Sequence, residues 1–238
     1  MIHTLYITNP LKLKQFNDLY NIIKPYADDN NTDTYQKHIS YNWKSDGLLI
    51  FLTKYNVQFP RVILKYAIEI RLNPKRLIEK DNHILLMQES DILSVDKAFN
   101  KIIKDIYCDL PELDRWKTGR IDYAVQIKTE HVKLYIKLFQ RANKPNRHYH
   151  EQNLEEHNSE EYDKKGQKDG SYYQISKSVR INIYDKEAQQ IAEGADRQTI
   201  EQAKDILRFE IQINKAKIKQ MVRTDKDILN SELYVTRK

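Results

Sequence analysis

Four segments of the chain alternate apolar and polar residues, and this alternation limits the fold more than any other feature. A period of two residues places successive side chains on opposite faces of a β-strand. Strands with one apolar face and one polar face belong to a sheet that other elements cover on one side. The four segments run from Val62 to Leu72, Arg120 to Lys128, Val179 to Asp185 and Ile206 to Ile213.

Helical periodicity between these strands predicts an α+β fold. Ile92 to Ile106 repeats apolar residues every three or four positions, which is typical of a helix with one buried stripe. Thr129 is a suitable N-cap for a second helix that follows the next strand. We therefore expect an antiparallel-rich central sheet with helices packed on one face.

The first sixty residues carry weaker signals. Leu11 to Ile23 predicts a helix, and Ile39 to Trp43 with Leu48 to Thr53 predicts a hairpin around an Asp-Gly turn. Lys144 to Asp169 contains one Leu and no Val, Ile or Phe, so a mobile loop is expected there. These patterns predict an N-terminal helix and hairpin region (1–60), a main domain (61–222) and a short tail (223–238).

Composition excludes several classes of protein. The single cysteine, Cys108, excludes a disulfide framework and a cysteine-based zinc site. No run approaches the roughly 18 apolar residues of a membrane span, and the N-terminus lacks the apolar core of a signal peptide. We therefore expect a cytoplasmic protein that does not associate with membranes. The net charge of +6, from 40 basic and 34 acidic residues, is compatible with a polyanionic partner.

The polar faces of three strands carry residues that are suited to catalysis. Alternation places Asp122, Tyr184 and Glu210 opposite the apolar residues of their strands. If the strands share one sheet, the two acids can hold Mg²⁺ or Mn²⁺, and the tyrosine can attack a metal-bound phosphate. Nearby cations such as Lys186 and the metal ion are expected to help lower the pKa of this tyrosine from its usual value of about 10. The alternative is an ordinary antiparallel sheet with one solvated face.

Three short motifs in the same segments resemble a known family. The run Arg120-Ile121-Asp122-Tyr123-Ala124 is similar to the R-x-D-x-A strand of rolling-circle replication initiators of the Rep_trans type. The segment from Ser176 to Lys186 resembles their S-R/K-S … Y-D/E-K segment, and the segment from Arg208 to Gln212 resembles their R-x-E-x-Q strand. The family contains initiators and relaxases of plasmids, phages and mobile elements, which are related to the HUH nucleases.

The resemblance implies a Rep-like nicking domain that cuts DNA at a replication or transfer origin. The tyrosine forms a 5′-phosphotyrosyl link and frees a 3′-OH for a polymerase. Carried over residue by residue, Tyr184 is the nucleophile, and Asp122 and Glu210 are ligands of Mg²⁺ or Mn²⁺. Lys186 and Arg208 then contact the phosphate or stabilise the transition state.

The chain also departs from the family pattern. Where the family often carries an acid after its Y-D-K motif, this chain has Gln189 and Gln190, which leaves Glu187 as a substitute. Glu69 is a weaker candidate for a further metal ligand or a structural acid. The chain stops soon after its third motif, where such initiators often continue. The alternative function is therefore a catalytically inactive Rep-like protein that binds DNA.

Basic residues and partners complete these expectations. The partner implied is origin DNA, single-stranded or cruciform at the nick, with a host helicase and a second copy of the chain as further partners. A structural or regulatory protein without nucleic acid is the third hypothesis. His148 and His150 match the HUH motif in spelling, but they lie in the least strand-like segment. The candidate DNA contacts are Arg120, Lys177, Arg180, Lys215 and Lys219.

Overall fold

The chain forms two compact units, which divide between Ile121 and Asp122 and are called unit 1 and unit 2 here. The computed structural model describes residues 2–26, 38–45, 47–57, 63–80, 84–142, 150–151 and 171–223. Among these residues, no helix is both long and apolar enough to cross a membrane.

Unit 1 is built on an antiparallel sheet. Its strands are β1 (Ile2–Leu11), β2 (His38–Ser45), β3 (Leu48–Val57), β4 (Ile63–Leu72) and the beginning of β5 (Lys117–Lys128). The strands lie in the order β2-β3-β4-β1-β5, so β4 pairs with both β3 and β1.

The helices of unit 1 bury their apolar residues on one face of this sheet. The helices are α1 (Leu13–Ile23), α2 (Pro74–Ile78) and α3 (Ile92–Ile106), with short 3₁₀ turns at Lys24–Tyr26, Glu89–Asp91 and Leu113–Arg115. Buried residues recur three or four positions apart in α1 and α3, as one apolar stripe requires. The core contains Phe16, Leu19, Val95, Phe99 and Ile103 from the helices and Ile7, Ile50, Leu52, Ile68 and Ile70 from the strands.

The turn between β2 and β3 requires a glycine. The register pairs Ser45 with Leu48, which leaves a loop of two residues. Gly47 has a φ of +78°, and a Cβ at this position would lie 2.7 Å from the backbone nitrogen of Leu77. The carbonyl of Gly47 also accepts a hydrogen bond from the N–H of Asn73 at 2.7 Å. The predicted hairpin is confirmed, and the close approach of α2 fixes the shape of its turn.

Unit 2 begins with Asp122 and contains a second set of antiparallel pairs. Its strands are the rest of β5, β6 (His150–Glu151), β7 (Ser171–Ile175), β8 (Val179–Asp185) and β9 (Ile206–Asn214). They lie in the order β5-β9-β8-β7-β6. The helices are α4 (Val132–Ala142), α5 (Lys186–Ala192), α6 (Arg197–Ala203) and α7 (residues 215–223).

Helix α4 provides the apolar core of unit 2. Val132 and Ile136 are buried against a cluster that includes Ile183 of β8. The ring of Phe139 stacks on Tyr172 with the centroids 6.4 Å apart, and it meets Phe209 edge-on at 5.5 Å. This helix therefore covers the apolar face of β7, β8 and β9, as the alternation predicts.

The structure confirms the α+β class and the antiparallel sheet, and it moves the domain boundary. The sequence places a boundary near residue 60, but β4, which follows that point, pairs with both β1 and β3. Residues on both sides of position 60 therefore belong to unit 1. The expected mobile loop from Lys144 to Asp169 falls outside the described residues except for β6, and so does His148.

Strand β5 buries the face that the sequence predicts to be exposed. The apolar residues Tyr123, Val125 and Ile127 are exposed, with Val125 at 52%. Asp122 and Ala124, on the polar side, are each only 1% exposed. The expectation that every strand turns its apolar face to the helices is therefore wrong for β5. Alternation separates two faces, but packing elsewhere decides which face is covered.

Candidate functional site

Tyr184 lies on the polar face of β8, near the end of the strand, and is 6% exposed. The register pairs Tyr184 with Arg208 and pairs Asn182 with Glu210. Directly opposed residues of an antiparallel pair point to the same face, so these four side chains share one side of the sheet. The hydroxyl of Tyr184 donates a hydrogen bond to Oε2 of Glu210 at 3.3 Å. The predicted nucleophile and one predicted acid therefore meet.

Burial dominates the electrostatics of Tyr184. Removal from water raises the pKa of its phenol well above the usual value, because the charged form loses its hydration. The charge of Arg208, which is fully buried, acts in the opposite direction, and the carboxylate of Glu210 raises the pKa further. Arg208, rather than the expected Lys186, is the cation that lowers the pKa of Tyr184, and its charge does not offset the desolvation. The lowering expected from a bound metal ion stays a prediction.

Lys186 is a buried lysine at the start of α5, with 4% of its surface exposed. Its Nζ donates to Oε1 of Gln189 at 2.8 Å. Desolvation is the main cause that lowers the pKa of Lys186 to about 8, and the charge of Arg208 adds to it. Glu193 and Glu210 oppose this shift. A lysine with such a pKa can give up a proton near neutral pH, which an exposed lysine does not do readily.

Helix α5 holds this lysine through a set of residues that the sequence motifs do not reveal. Asp185 caps the helix by accepting hydrogen bonds from the N–H groups of Glu187 and Ala188 at 3.0 and 3.2 Å. Gln189, which also accepts from Lys186, donates to Glu193 at 2.9 Å. Glu193, the C-cap of this helix, is therefore linked to Lys186 through Gln189. The spacing of Lys186, Gln189 and Glu193 along one helix face is the signal that could have identified it.

Of the three predicted metal ligands, Asp122 and Glu210 belong to unit 2 and Glu69 belongs to unit 1. Glu210 already accepts from Tyr184 at Oε2 and from Gln212 at Oε1, the latter at 2.9 Å. Asp122 is buried on β5, which lies next to β9 in the sheet, whereas Glu69 is an exposed residue of β4 in unit 1. The part of the chain that the structure describes contains no group of three His, Cys, Asp or Glu side chains that could hold an ion.

The predicted DNA contacts of unit 2 lie at the opposite end of β8 from Tyr184. Lys177, Arg180, Lys215 and Lys219 are all exposed. The side chain of Asn214 donates to the carbonyl of Lys177 at 3.0 Å, so the turn before β8 and the start of α7 are held together. Four exposed basic residues therefore form a surface, named the basic end here. Arg180 is four residues from Tyr184, or about 14 Å along the strand.

Two further residues of interest, Arg120 and Tyr172, pack against aromatic rings. Arg120 belongs to unit 1, and its guanidinium carbon lies 3.9 Å from the centroid of the Tyr6 ring. Tyr172 of β7 is buried in the core of unit 2.

Comparison of the chain with protein-family models, curated proteins and solved structures found no match. The resemblance to rolling-circle initiators therefore rests on the three motifs alone.

Proposed function

We propose that this protein nicks and rejoins DNA at an origin of a plasmid, phage or mobile element, with Tyr184 as the nucleophile. The observation that supports it is the hydrogen bond from the phenol of Tyr184 to the carboxylate of Glu210, with Arg208 and Lys186 close by. A phenol paired with a base and surrounded by cations has the groups that attack on a phosphodiester needs.

In the proposed reaction, the Tyr184 oxygen attacks phosphorus while its proton passes to Glu210. The bond from phosphorus to the 3′ oxygen breaks, which leaves the 5′ phosphate on the tyrosine. Lys186 donates a proton to the departing oxygen, and Arg208 stabilises the charge on the phosphate. Because the pKa of Tyr184 is raised, the proton must leave as the new bond forms rather than beforehand.

Covalent capture tests this proposal directly. The full chain is incubated with supercoiled DNA that carries its own coding region and flanks, and adducts are resolved on a denaturing gel. We expect an SDS-resistant protein–DNA adduct that Tyr184→Phe abolishes and the matched control Tyr172→Phe retains, since Tyr172 is an equally buried tyrosine of the neighbouring strand. An adduct that survives in Tyr184→Phe would refute the assignment.

The role of Mg²⁺ or Mn²⁺ stays a prediction within this proposal. The same incubation is run with each ion and with EDTA. Loss of the adduct in EDTA supports a metal requirement, and an adduct of equal yield in EDTA contradicts it.

A second candidate function is DNA binding without cleavage, and the burial of Tyr184 favours it. A phosphate cannot reach a phenol that is 6% exposed until the surrounding side chains move. In this case the basic end binds DNA in a salt-dependent way and no adduct forms. Replacing Lys177 and Arg180 by alanine then weakens DNA binding, while Tyr184→Phe leaves it unchanged.

A further inference from the structure

One face of the unit 1 sheet, opposite the face that the described helices cover, carries aromatic and basic side chains. The described helices of unit 1 bury their apolar residues on the face of Ile7, Ile50 and Ile70. The register turns Tyr6 and Thr8 of β1, Leu49 and Phe51 of β3, and Glu69 and Arg71 of β4 to the opposite side, where the neighbouring Thr53 and Ala67 are buried. This opposite side is named the open face here.

The strand register arranges the open face in rows. One row runs from Leu49 on β3 through Arg71 on β4 to Tyr6 on β1. The next row runs from Phe51 through Glu69 to Thr8. Tyr6 and Phe51 are therefore two strands and one row apart, which strand geometry converts to about 12 Å.

Tyr6 is the centre of a cluster of cations. The guanidinium carbon of Arg120 lies 3.9 Å from its ring centroid, and that of Arg71 lies 5.5 Å away. Both distances lie within the range of a cation–π contact. The rings of Tyr6 and Phe51 are half-buried, so each is held in place and still reaches the surface.

The formal charges of the open face favour a polyanion. Lys65, Arg71 and Arg120 are opposed by Glu69, which leaves a net charge of +2 on these four residues. A sheet surface that combines stacked rings with arginine guanidinium groups is how proteins bind unpaired bases and their backbone.

We propose that the open face of unit 1 binds single-stranded nucleic acid, with bases stacked on the Tyr6–Arg120 pair and on Phe51 and with Arg71 on the phosphates. This site lies in a different unit from Tyr184 and requires neither cleavage nor a metal. A duplex keeps its bases stacked inside, so it cannot occupy the two ring positions in the same way. The face therefore discriminates single strands from duplex.

Binding of a labelled oligonucleotide tests the stacking. Fluorescein-labelled dT15 is titrated with the full chain in EDTA, and the anisotropy gives Kd. We expect Tyr6→Ala and Phe51→Ala each to weaken binding about tenfold. Tyr6→Phe should stay within about twofold, because the ring is retained. The matched control is Tyr26→Ala, which removes an exposed tyrosine outside the sheet.

The salt dependence tests Arg71. Arg71→Ala should lower the slope of log Kd against log salt by about 0.7, the value for one phosphate contact with a single strand. The matched control Arg115→Ala removes an exposed arginine in a 3₁₀ turn and should leave the slope unchanged. Arg71 lies at an exposed strand position, so its replacement carries little risk to folding.

Two results would overturn the proposal. The first is an equal Kd for the dT15·dA15 duplex and for dT15. The second is an equal Kd for dT15 in Tyr6→Ala, Phe51→Ala and the control Tyr26→Ala. A parallel titration with rU15 identifies which sugar the face prefers, and tight binding of either strand supports it. Tyr184→Phe should bind dT15 normally, so a failure of the nicking proposal and a failure of this one are separate observations.

Discussion

Replacing Lys186 with methionine should stabilise unit 2, although it removes a hydrogen bond. Lowering the pKa from 10.5 to about 8 means that the folded state disfavours the charged lysine. Each pKa unit is worth about 1.4 kcal/mol, so the cost of folding with a charged lysine is about 3 kcal/mol at pH 7. Methionine avoids this cost and loses only the bond to Gln189, worth about 1 kcal/mol. The expected net gain is about 2 kcal/mol.

The dependence on pH identifies the cause of this gain. Below pH 8 the lysine is charged in both the folded and the unfolded chain, so the full cost is present. Between pH 8 and 10.5 the folded protein has lost the proton that the unfolded chain still holds, so stability rises with pH. From pH 7 to 9.5 the wild type should gain about 2 kcal/mol from this lysine, and the advantage of Lys186→Met should largely disappear.

The assay must report on unit 2. Both tryptophans, Trp43 and Trp116, lie in unit 1, so tryptophan fluorescence does not monitor the relevant unit. Native-state hydrogen exchange on peptides from β8 and β9 gives the opening free energy there directly. The matched control is Lys204→Met, since the side chain of Lys204 is 53% exposed in the same unit. It should change the opening free energy by less than about 0.5 kcal/mol.

Two results would refute the reasoning on Lys186. If Lys186→Met is less stable than the wild type at pH 7, the lysine contributes more through its contacts than its desolvation costs. If the difference between the two proteins is the same at pH 7 and pH 9.5, the effect does not come from titration of this group.

Three further predictions concern catalysis, the hairpin turn and the core. If Lys186 is the proton donor in the nicking reaction, the single-turnover rate of adduct formation should fall as pH rises through about 8. The same rate should be low at every pH in Lys186→Met, because methionine has no proton to donate. Gly47→Ala should destabilise unit 1 by about 3 kcal/mol in urea unfolding, because its Cβ meets the backbone of α2, whereas Gly194→Ala, also at positive φ but in open space, should cost only about 1 kcal/mol. Equal costs for the two would contradict the steric argument. Phe99→Ala should lower the free energy of unfolding by about 4 kcal/mol, and it should shift the fluorescence of Trp116, whose ring lies edge-on to Phe99 at 5.7 Å. An unchanged emission spectrum would contradict this ring contact.

Much of the local structure follows from the sequence pattern. Helix α3 begins and ends at the predicted residues, and so does β8. These segments carry strong periodicity over their whole length, and local signals such as the Asp-Gly turn agree with it. The pairing of Tyr184 and Glu210 on one face also follows the alternation of β8 and β9.

The chemistry of the candidate site depended on what covers each face. Alternation separates the two sides of a strand, but it does not say which side the rest of the chain will bury. Asp122 is buried on β5 while Val125 is exposed, and burial raises the pKa of Tyr184 more than the charge of Arg208 lowers it.

Most of the elements, the hairpin turn and the residues on each strand face follow from the order of the residues, although β1 is not among the predicted strands. Only the tertiary structure decided that β1, β3 and β4 form one unit, that Lys186 is buried beside Arg208, and that Arg120 stacks on Tyr6. The physical reason is that periodicity is a property of neighbouring residues, whereas burial and charge–charge contact come from segments that are far apart along the chain.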